Sequence, residues 1–406
     1  MIFYPKVMKK IKIGLLPRVL CAIVLGILLG NLLPLPAAQL FATFNAIFSQ
    51  FLGFMIPLII VGLVAPAIAD IGRGAGKLLL MTVAVAYLDT IVAGILAYGT
   101  GSWLFPDMIA AAGNLTAMSK PEDVAPFFSI SIPPLLDVMS GLVFAFMSGL
   151  AIAYAGLPTM RGMFSDFRRL IEMVIQKVII PLLPLYIFGI FLSMTHNGQV
   201  YHIMTVFAKI ILVIFVLHIL ILIYDFVIAG MMIRRNPFRL LWNMLPAYLT
   251  ALGTASSAAT IPVTLRQSEK NGVDNGVAGF TVPLCATIHM PGSSMKVTAC
   301  ALTICMLEGL PHDFPLFLHF ILLLAIIMVA APGVPGGAIM AALAPLASIL
   351  GFDTEAQALI IALYIAMDSF GTACNVTSDG AIAIMMHKLL GKPYPRQTET
   401  LDTERV

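Results

Sequence analysis

Near the C-terminal end, the residues from Asp368 to Asp379 read D-S-F-G-T-A-C-N-V-T-S-D between two apolar flanks, Leu359–Leu363 and Ala381–Met386. Two carboxylates, an amide, several hydroxyls and a glycine stand where hydrocarbon would be expected. A charge at membrane depth is costly, and those that persist face an ion or substrate path. Asn375 and Asp379 are four residues apart, so on a helix they share one face. Asp368 precedes Asp379 by eleven residues, about three turns, which returns it to nearly the same face. This spacing suits the handling of a cation.

The elements that must position this strip are membrane helices. Of 406 residues, 60% are hydrophobic and 11% charged, against about 25% charged in a soluble domain. Apolar runs of about 20 residues, enough to cross the hydrocarbon core, recur along the chain. No stretch alternates at the period of two that a transmembrane barrel requires. The expected fold is all-α and polytopic, with spans near Val19–Leu33, Phe41–Ala67, Leu78–Tyr98, Leu135–Tyr154, Met173–Ser193, Met204–Ile233, Phe280–Leu307 and Leu359–Met386.

Basic residues collect on every second connection: Arg73 and Lys77; Arg161, Arg168 and Arg169; Arg234, Arg235 and Arg239; then Lys388, Lys392 and Arg396. Residues 106–121 and 195–199 hold almost none. That alternation predicts both termini in the cytoplasm, in a multi-pass protein of the plasma (inner) membrane. Lys6, Lys9, Lys10, Lys12 and Arg18 precede the first apolar run, which reads as an uncleaved span because no small-residue cleavage site follows it cleanly. A net charge of +3 gives no reason to expect nucleic acid; lipid is the expected surround. The cysteines (Cys21, Cys285, Cys300, Cys305 and Cys374) fall in apolar segments without metal-like pairing and read as buried packing residues.

Two further apolar segments are interrupted. Leu241–Val263 is broken by Thr254–Thr260, and Phe314–Leu350 by Ala330–Gly337, so each is expected to dip in and return as a helical hairpin. Each precedes a span that is itself interrupted, at His289-Met-Pro-Gly292 in the first case and at Asn375–Asp379 in the second. Hairpin, broken helix, hairpin, broken helix is an inverted repeat, and such paired discontinuities point to a transporter site. Irregular backbone survives at that depth only when buried in protein or lining a cavity.

These motifs resemble the glutamate-transporter-like family of dicarboxylate/amino acid:cation symporters. The resemblance rests on Ser256-Ser-Ala-Ala-Thr-Ile-Pro-Val-Thr264, Phe280-Thr-Val-Pro-Leu-Cys-Ala-Thr287, Gly333-Val-Pro-Gly336 and Asn375-Val-Thr-Ser-Asp379, in that order. It implies about eight transmembrane helices plus two re-entrant hairpins in inverted repeat, a homotrimer, and a transport domain that moves like an elevator against a fixed scaffold. Residues 1–77 would be scaffold helices 1–2, 78–100 transport-domain helix 3 and 101–200 scaffold helices 4–5. Residues 201–391 would complete the transport domain, and 392–406 would be a cytoplasmic tail.

The resemblance also implies roles. Asp368 would pair with a substrate ammonium. Ser256, Ser257 and Asn375 would take the α-carboxylate, with backbone N–H groups at the hairpin tips, Gly333 among them. Gly371 and Thr372 would border the side-chain pocket. Asn375 and Asp379, with the carbonyl near Cys285, would hold one sodium ion; Thr287 and Met290, with carbonyls near Val329 and Ala331, would hold another. Such oxygen donors suit a hard cation. No catalytic residue and no organic cofactor is implied; the coupling ion is sodium, with a proton as the alternative.

The departures are informative. The arginine with which acidic-substrate members grip a side-chain carboxylate is replaced here by Gly371, and the one some members place in the first hairpin by Ala255. A second carboxylate would be buried unpaired, so a small neutral amino acid is the expected substrate. A dicarboxylate or acidic amino acid is the alternative if Lys296 or His289 supplies the cation. The family's asparagine–methionine–aspartate–glycine–threonine motif reads His289-Met-Pro-Gly-Ser293 here. Its third sodium site is therefore expected to be altered. Tyr87, Asp89 and Thr90 on the third span, with His289 and Lys296, form the candidate coupling cluster.

Plainer readings stand beside these. Ser256 and Ser257 also suit close helix packing, Asp89 and Lys296 a structural ion pair, and His289 a satisfied core histidine. His202, Lys209, His218 and Asp225 on the sixth span are expected to face a cavity or snorkel. A hydrolase using Ser256 or Ser257 with His289 as base lacks an evident partner to orient the histidine. A channel would share the helix-end sites, and substrate-dependent uptake separates it from a carrier.

Overall fold

Runs of apolar residues in lipid must satisfy every backbone group internally, which only helices or closed barrels achieve. The computed structural model describes residues 15–72, 77–110, 124–196, 198, 200–331 and 336–390, and among these no strand occurs. Residues 6–12, Arg73, Arg396 and the rest of the tail 392–406, and Gly333, to which expectations attach above, lie outside the described residues.

Helices α1 (Leu15–Gly30), α2 (Leu35–Gly72) and α3 (Lys77–Ala110) are followed by α4 (Val138–Ala155) and α5 (Pro158–Val174). A short π-helical stretch, Ile175–Ile179, carries α5 into α6 (Ile180–His196). Next come α7 (Val200–Ile233), α8 (Pro237–Asn243), α9 (Leu245–Thr254), α10 (Ser257–Lys270) and α11 (Asn275–Ile288). The chain ends with α12 (Pro291–Glu308), α13 (Phe314–Ala330), α14 (Gly337–Ser348), α15 (Thr354–Ala366) and α16 (Asp368–Leu389).

Among the described residues, five helical stretches are long and apolar enough to cross a membrane: Leu35–Ala69, Lys77–Ala110, Pro158–His196, Ile203–Ile233 and Asn275–Glu308. The bent pair α15–α16 makes a sixth. Shorter apolar helices include Phe314–Ala330 and Gly337–Ser348. The helices α12, α15 and α16 are buried along nearly their whole length, and α16 packs on α7, α9, α10, α11 and α12. Elsewhere α2 packs on α4, α5 and α6, and α1 on α6.

The expected interruptions at 254–260 and 289–292 are present, and at the third α13 ends at Ala330 and α14 begins at Gly337, with residues 332–335 outside those described. Between α9 and α10, Ala255 turns through φ 49°, a left-handed conformation rare for a residue with a Cβ, and Ser256 caps α10 by accepting from the Ala259 amide. Between α11 and α12, Pro291 opens the new helix, where its missing N–H costs nothing.

The fourth interruption is misplaced in the sequence reading. Helix α16 runs unbroken through Asn375–Asp379, and the discontinuity lies at Met367, where α15 and α16 meet at 62°. The polar strip does not break the helix because its side chains bond outward or back along it: Thr372 donates to the Asp368 carbonyl, and Ser378 donates to Asp225 on α7.

Two smaller corrections follow from packing. The basic connection holding Arg161, Arg168 and Arg169 is itself helix α5, amphipathic, with Phe164 and Ile171 buried and Arg168 paired to Glu172 at 3.0 Å. Cys21 is exposed, unlike the other four cysteines.

Candidate substrate and cation site

Glycine at 292 lets the first turn of α12 lie against α16. A Cβ there would stand 2.9 Å from the Gly371 carbonyl oxygen and 3.1 Å from Asn375 Oδ1. The close approach allows the Gly292 amide to donate to Asn375 Oδ1 at 2.8 Å, while Asn375 Nδ2 donates to Ser293 Oγ at 3.2 Å. Ser293 Oγ also accepts from Tyr364 at 2.9 Å. From α7, His218 Nε2 lies 3.2 Å from the Gly292 carbonyl. The helix break is thus held by side chains from α7, α15 and α16.

One turn further along α12, Lys296 is wholly buried, with Nζ 3.4 Å from Asp368 Oδ1 and 3.7 Å from the centroid of the Tyr364 ring. The other oxygen, Asp368 Oδ2, accepts from the Gly336 amide at 2.9 Å, just before α14 begins. The neighbouring helices reach the strip: α9 and α10 pack on α16, and the start of α14 touches it through Asp368.

Toward the other end of the strip, His289 sits between two carboxylates. Its Nε2 is 2.9 Å from Asp89 Oδ2 on α3, and its Nδ1 is 2.9 Å from Asp379 Oδ1 on α16. All three side chains are buried. A ring that donates on both sides is an imidazolium, so the trio then carries one net negative charge. Asp225 completes the group from α7: it lies alongside Asp89 and accepts from Ser378 through Oδ2, and its Oδ1 has no hydrogen-bond partner.

Most expected positions converge, and some need restating. Asp368, Gly371, Thr372, Asn375 and Asp379 share the buried α16, with Cys285, His289 and Met290 beside it at the α11–α12 break. Ser257 is buried and Ser256 half-buried at the start of α10. Ala331 is buried and Val329 half-buried at the end of α13, whereas Thr287 is exposed, its hydroxyl donating to the Leu284 carbonyl. Tyr87 donates to the Leu322 carbonyl at 3.3 Å, and Thr90 to that of Ala86 at 2.8 Å. The candidate coupling cluster divides, because Lys296 joins Asp368 while His289 joins Asp89 and Asp379.

On the sixth span, His218 and Asp225 are buried in contacts rather than facing a cavity; Lys209 is exposed, and the side chain of His202 lies outside those described. Tyr364 carried no sequence signal, since an aromatic in an apolar helix reads as packing, and Ser293 stood out only as the last position of the His289–Ser293 motif. The signal for Asp225 was present as an acid at membrane depth.

Oxygen donors for a sodium ion are available, but each also serves the protein. Asn375 Oδ1 accepts from Gly292, Asp379 Oδ1 faces His289, and the Cys285 carbonyl accepts from the His289 amide at 2.9 Å. A carbonyl oxygen keeps a second lone pair in such a bond. Cys285, His289 and Asp379 place ligand atoms within 4.8 Å of one another. Both ring nitrogens of His289 already face carboxylates, which leaves none for a soft metal or for activating a serine.

The serine/threonine transporter SstT of Streptococcus agalactiae serotype III (strain NEM316) is similar to this chain, with 27% identity over 387 residues, covering 91% of this chain and 94% of that protein. The family description "Sodium:dicarboxylate symporter family" matches residues 15–389. From α1 to the end of α16, the chain belongs to the sodium:dicarboxylate symporter family.

Proposed function

We propose that this protein is a sodium-coupled symporter of a small neutral amino acid, working across the plasma (inner) membrane with both termini in the cytoplasm. The observation that carries this reading is Asp368. It is a buried carboxylate between the broken helices, reached by the Gly336 amide, with no arginine at position 371 to receive a second substrate carboxylate. An ammonium group answers the first feature, and a neutral side chain the second. The serine/threonine specificity in the name of the similar protein supports the same class.

In this reading Ser256, Ser257 and Asn375 hold the substrate's carboxylate, and Thr372 offers its side chain a hydroxyl. Asp379 and Asn375 with the Cys285 carbonyl take one sodium ion, and Met290 with the end of α13 takes another. About eight spans and two re-entrant hairpins, α9–α10 and α13–α14, form a homotrimer. In each protomer residues 78–100 and 201–391 move against residues 1–77 and 101–200.

A second reading has one observation in its favour. Lys296 puts an ammonium beside position 371, where it could meet a side-chain carboxylate, which suits a dicarboxylate or acidic amino acid. Uptake into proteoliposomes decides between the two. Serine, threonine or alanine uptake that requires a sodium gradient supports the first reading. Uptake of aspartate or succinate in their place overturns it in favour of the second, and uptake driven by a proton gradient without sodium removes sodium as the coupling ion.

A further inference from the structure

The carboxylate that awaits an ammonium already has one. Lys296 Nζ lies 3.4 Å from Asp368 Oδ1, 3.5 Å from the Met367 carbonyl and 3.7 Å from the centroid of the Tyr364 ring. The two oxygen contacts are long, since N–H···O bonds cluster near 2.9–3.0 Å, whereas the ring contact is a close cation–π approach. The ammonium is held by two loose oxygen partners and the face of an aromatic ring rather than by one tight ion pair. Its space exists because residue 371 has no side chain: a Cβ there would stand 2.5 Å from Nζ and closer still to Cε. Glycine on α16 and lysine on α12 are therefore a matched pair.

We propose that Lys296 is a tethered counter-cation. In the substrate-free protein its ammonium takes the place on Asp368 that a substrate ammonium takes in the loaded one, so the empty carrier recrosses the membrane without borrowing a diffusible cation at this carboxylate. The inference rests on reading Asp368 as the ammonium partner.

Charge supports it. Asp368 is buried in the membrane-depth core, where an unpaired carboxylate is costly. With Lys296 beside it the empty site is formally neutral. A zwitterionic amino acid brings equal and opposite charges, so the loaded site is formally neutral as well. The lysine stem has four flexible carbons, and the Tyr364 face that the ammonium already touches is a contact it can keep when a substrate displaces it from Asp368. The same carboxylate also anchors the start of α14 through the Gly336 amide, which ties neutralisation of Asp368 to the docking of that helix.

The test uses the full chain in proteoliposomes with sodium, comparing net serine uptake into empty vesicles with exchange against internal serine. In Lys296→Met, net uptake is expected to fall tenfold or more relative to exchange, because exchange never requires the empty carrier to cross. In the substrate-free variant, hydrogen exchange at the Gly336 amide is expected to rise at least tenfold as water reaches Asp368. A fall of equal size in uptake and exchange marks a purely structural lysine and overturns the proposal. So does an unchanged ratio with unchanged Gly336 protection. If the parent protein exchanges no amino acid at all, the reading of its substrate fails by itself, and Gly336 protection still tests the tethered cation.

Discussion

His289 Nδ1 lies 2.9 Å from Asp379 Oδ1, joining the break between α11 and α12 to the middle of α16. The other ring nitrogen holds Asp89 at the same distance, so a single imidazole links α3, the end of α11 and α16 in a buried setting. In the family pattern this position is an asparagine followed by an aspartate two residues on. Here the aspartate position is Pro291, and the acid that meets residue 289 from the neighbouring helix is Asp89.

Removing the ring should therefore be severe. In His289→Ala, Asp89 and Asp379 keep their burial and lose their shared donor. Breaking a buried ion pair by deleting one partner costs about 3–5 kcal/mol. The expected outcome is a large drop in thermal stability in detergent, partly reversed by sodium, because a cation can occupy the space between the carboxylates. An unchanged melting temperature in sodium-free buffer would show that the two acids find other partners.

Asp379→Asn addresses the ion more directly. The variant keeps an oxygen toward the Asn375 face and loses the charge that attracts sodium. The sodium concentration that half-saturates uptake is expected to rise tenfold or more, corresponding to about 1.4 kcal/mol or greater. Amino acid affinity at saturating sodium should change much less. Titrating uptake with sodium separates the two; an equal loss in both would remove Asp379 from the ion site.

Much of this arrangement is legible in the sequence because membrane chemistry is unforgiving. Acids, amides and prolines inside apolar runs stand out: 254–260 and 289–292 each hold a break in the structure, α13 ends at Ala330 and α14 begins at Gly337. The reading fails where polarity is mistaken for irregularity. Asn375–Asp379 looks like a break, yet its side chains bond to α7, α11 and α12, and the helix continues. Partner choice was also out of reach. Lys296 lies seven residues beyond His289 in the chain, but about two turns of α12 carry it away from Asp89 and over to Asp368. Spacing shows that a charge is buried, and only packing shows which other charge it meets.

The fit between Gly371 and Lys296 predicts non-additive mutations. Gly371→Ala drives a methyl group into the lysine terminus, and overpacking of this kind typically costs about 1–3 kcal/mol. In a Lys296→Ala background the same methyl group enters empty space. The double variant should be more stable than the sum of the single changes predicts, by about 1 kcal/mol or more. Thermal unfolding of the four proteins measures this coupling, and strict additivity would mean that the two residues do not compete for the space.

Asp225 carries the last prediction. Its side chain is fully buried in α7, with Oδ2 accepting from Ser378 and Oδ1 without a hydrogen-bond partner, and Asp89 lies near it. Asparagine has nearly the same shape, can still accept from Ser378, and puts an N–H donor at the orphan position in a site that also holds the Asp89 carboxylate. Satisfying one buried polar atom is worth about 1–3 kcal/mol. Asp225→Asn is therefore expected to be at least as stable as the parent in sodium-free detergent, measured by thermal unfolding. Natural proteins give up stability at working sites, so a variant that melts higher while its sodium-driven uptake falls would place the orphan oxygen in the transport cycle. A lower melting temperature would instead show that the second carboxylate oxygen has a stabilising partner and that the orphan oxygen is no reserve of stability.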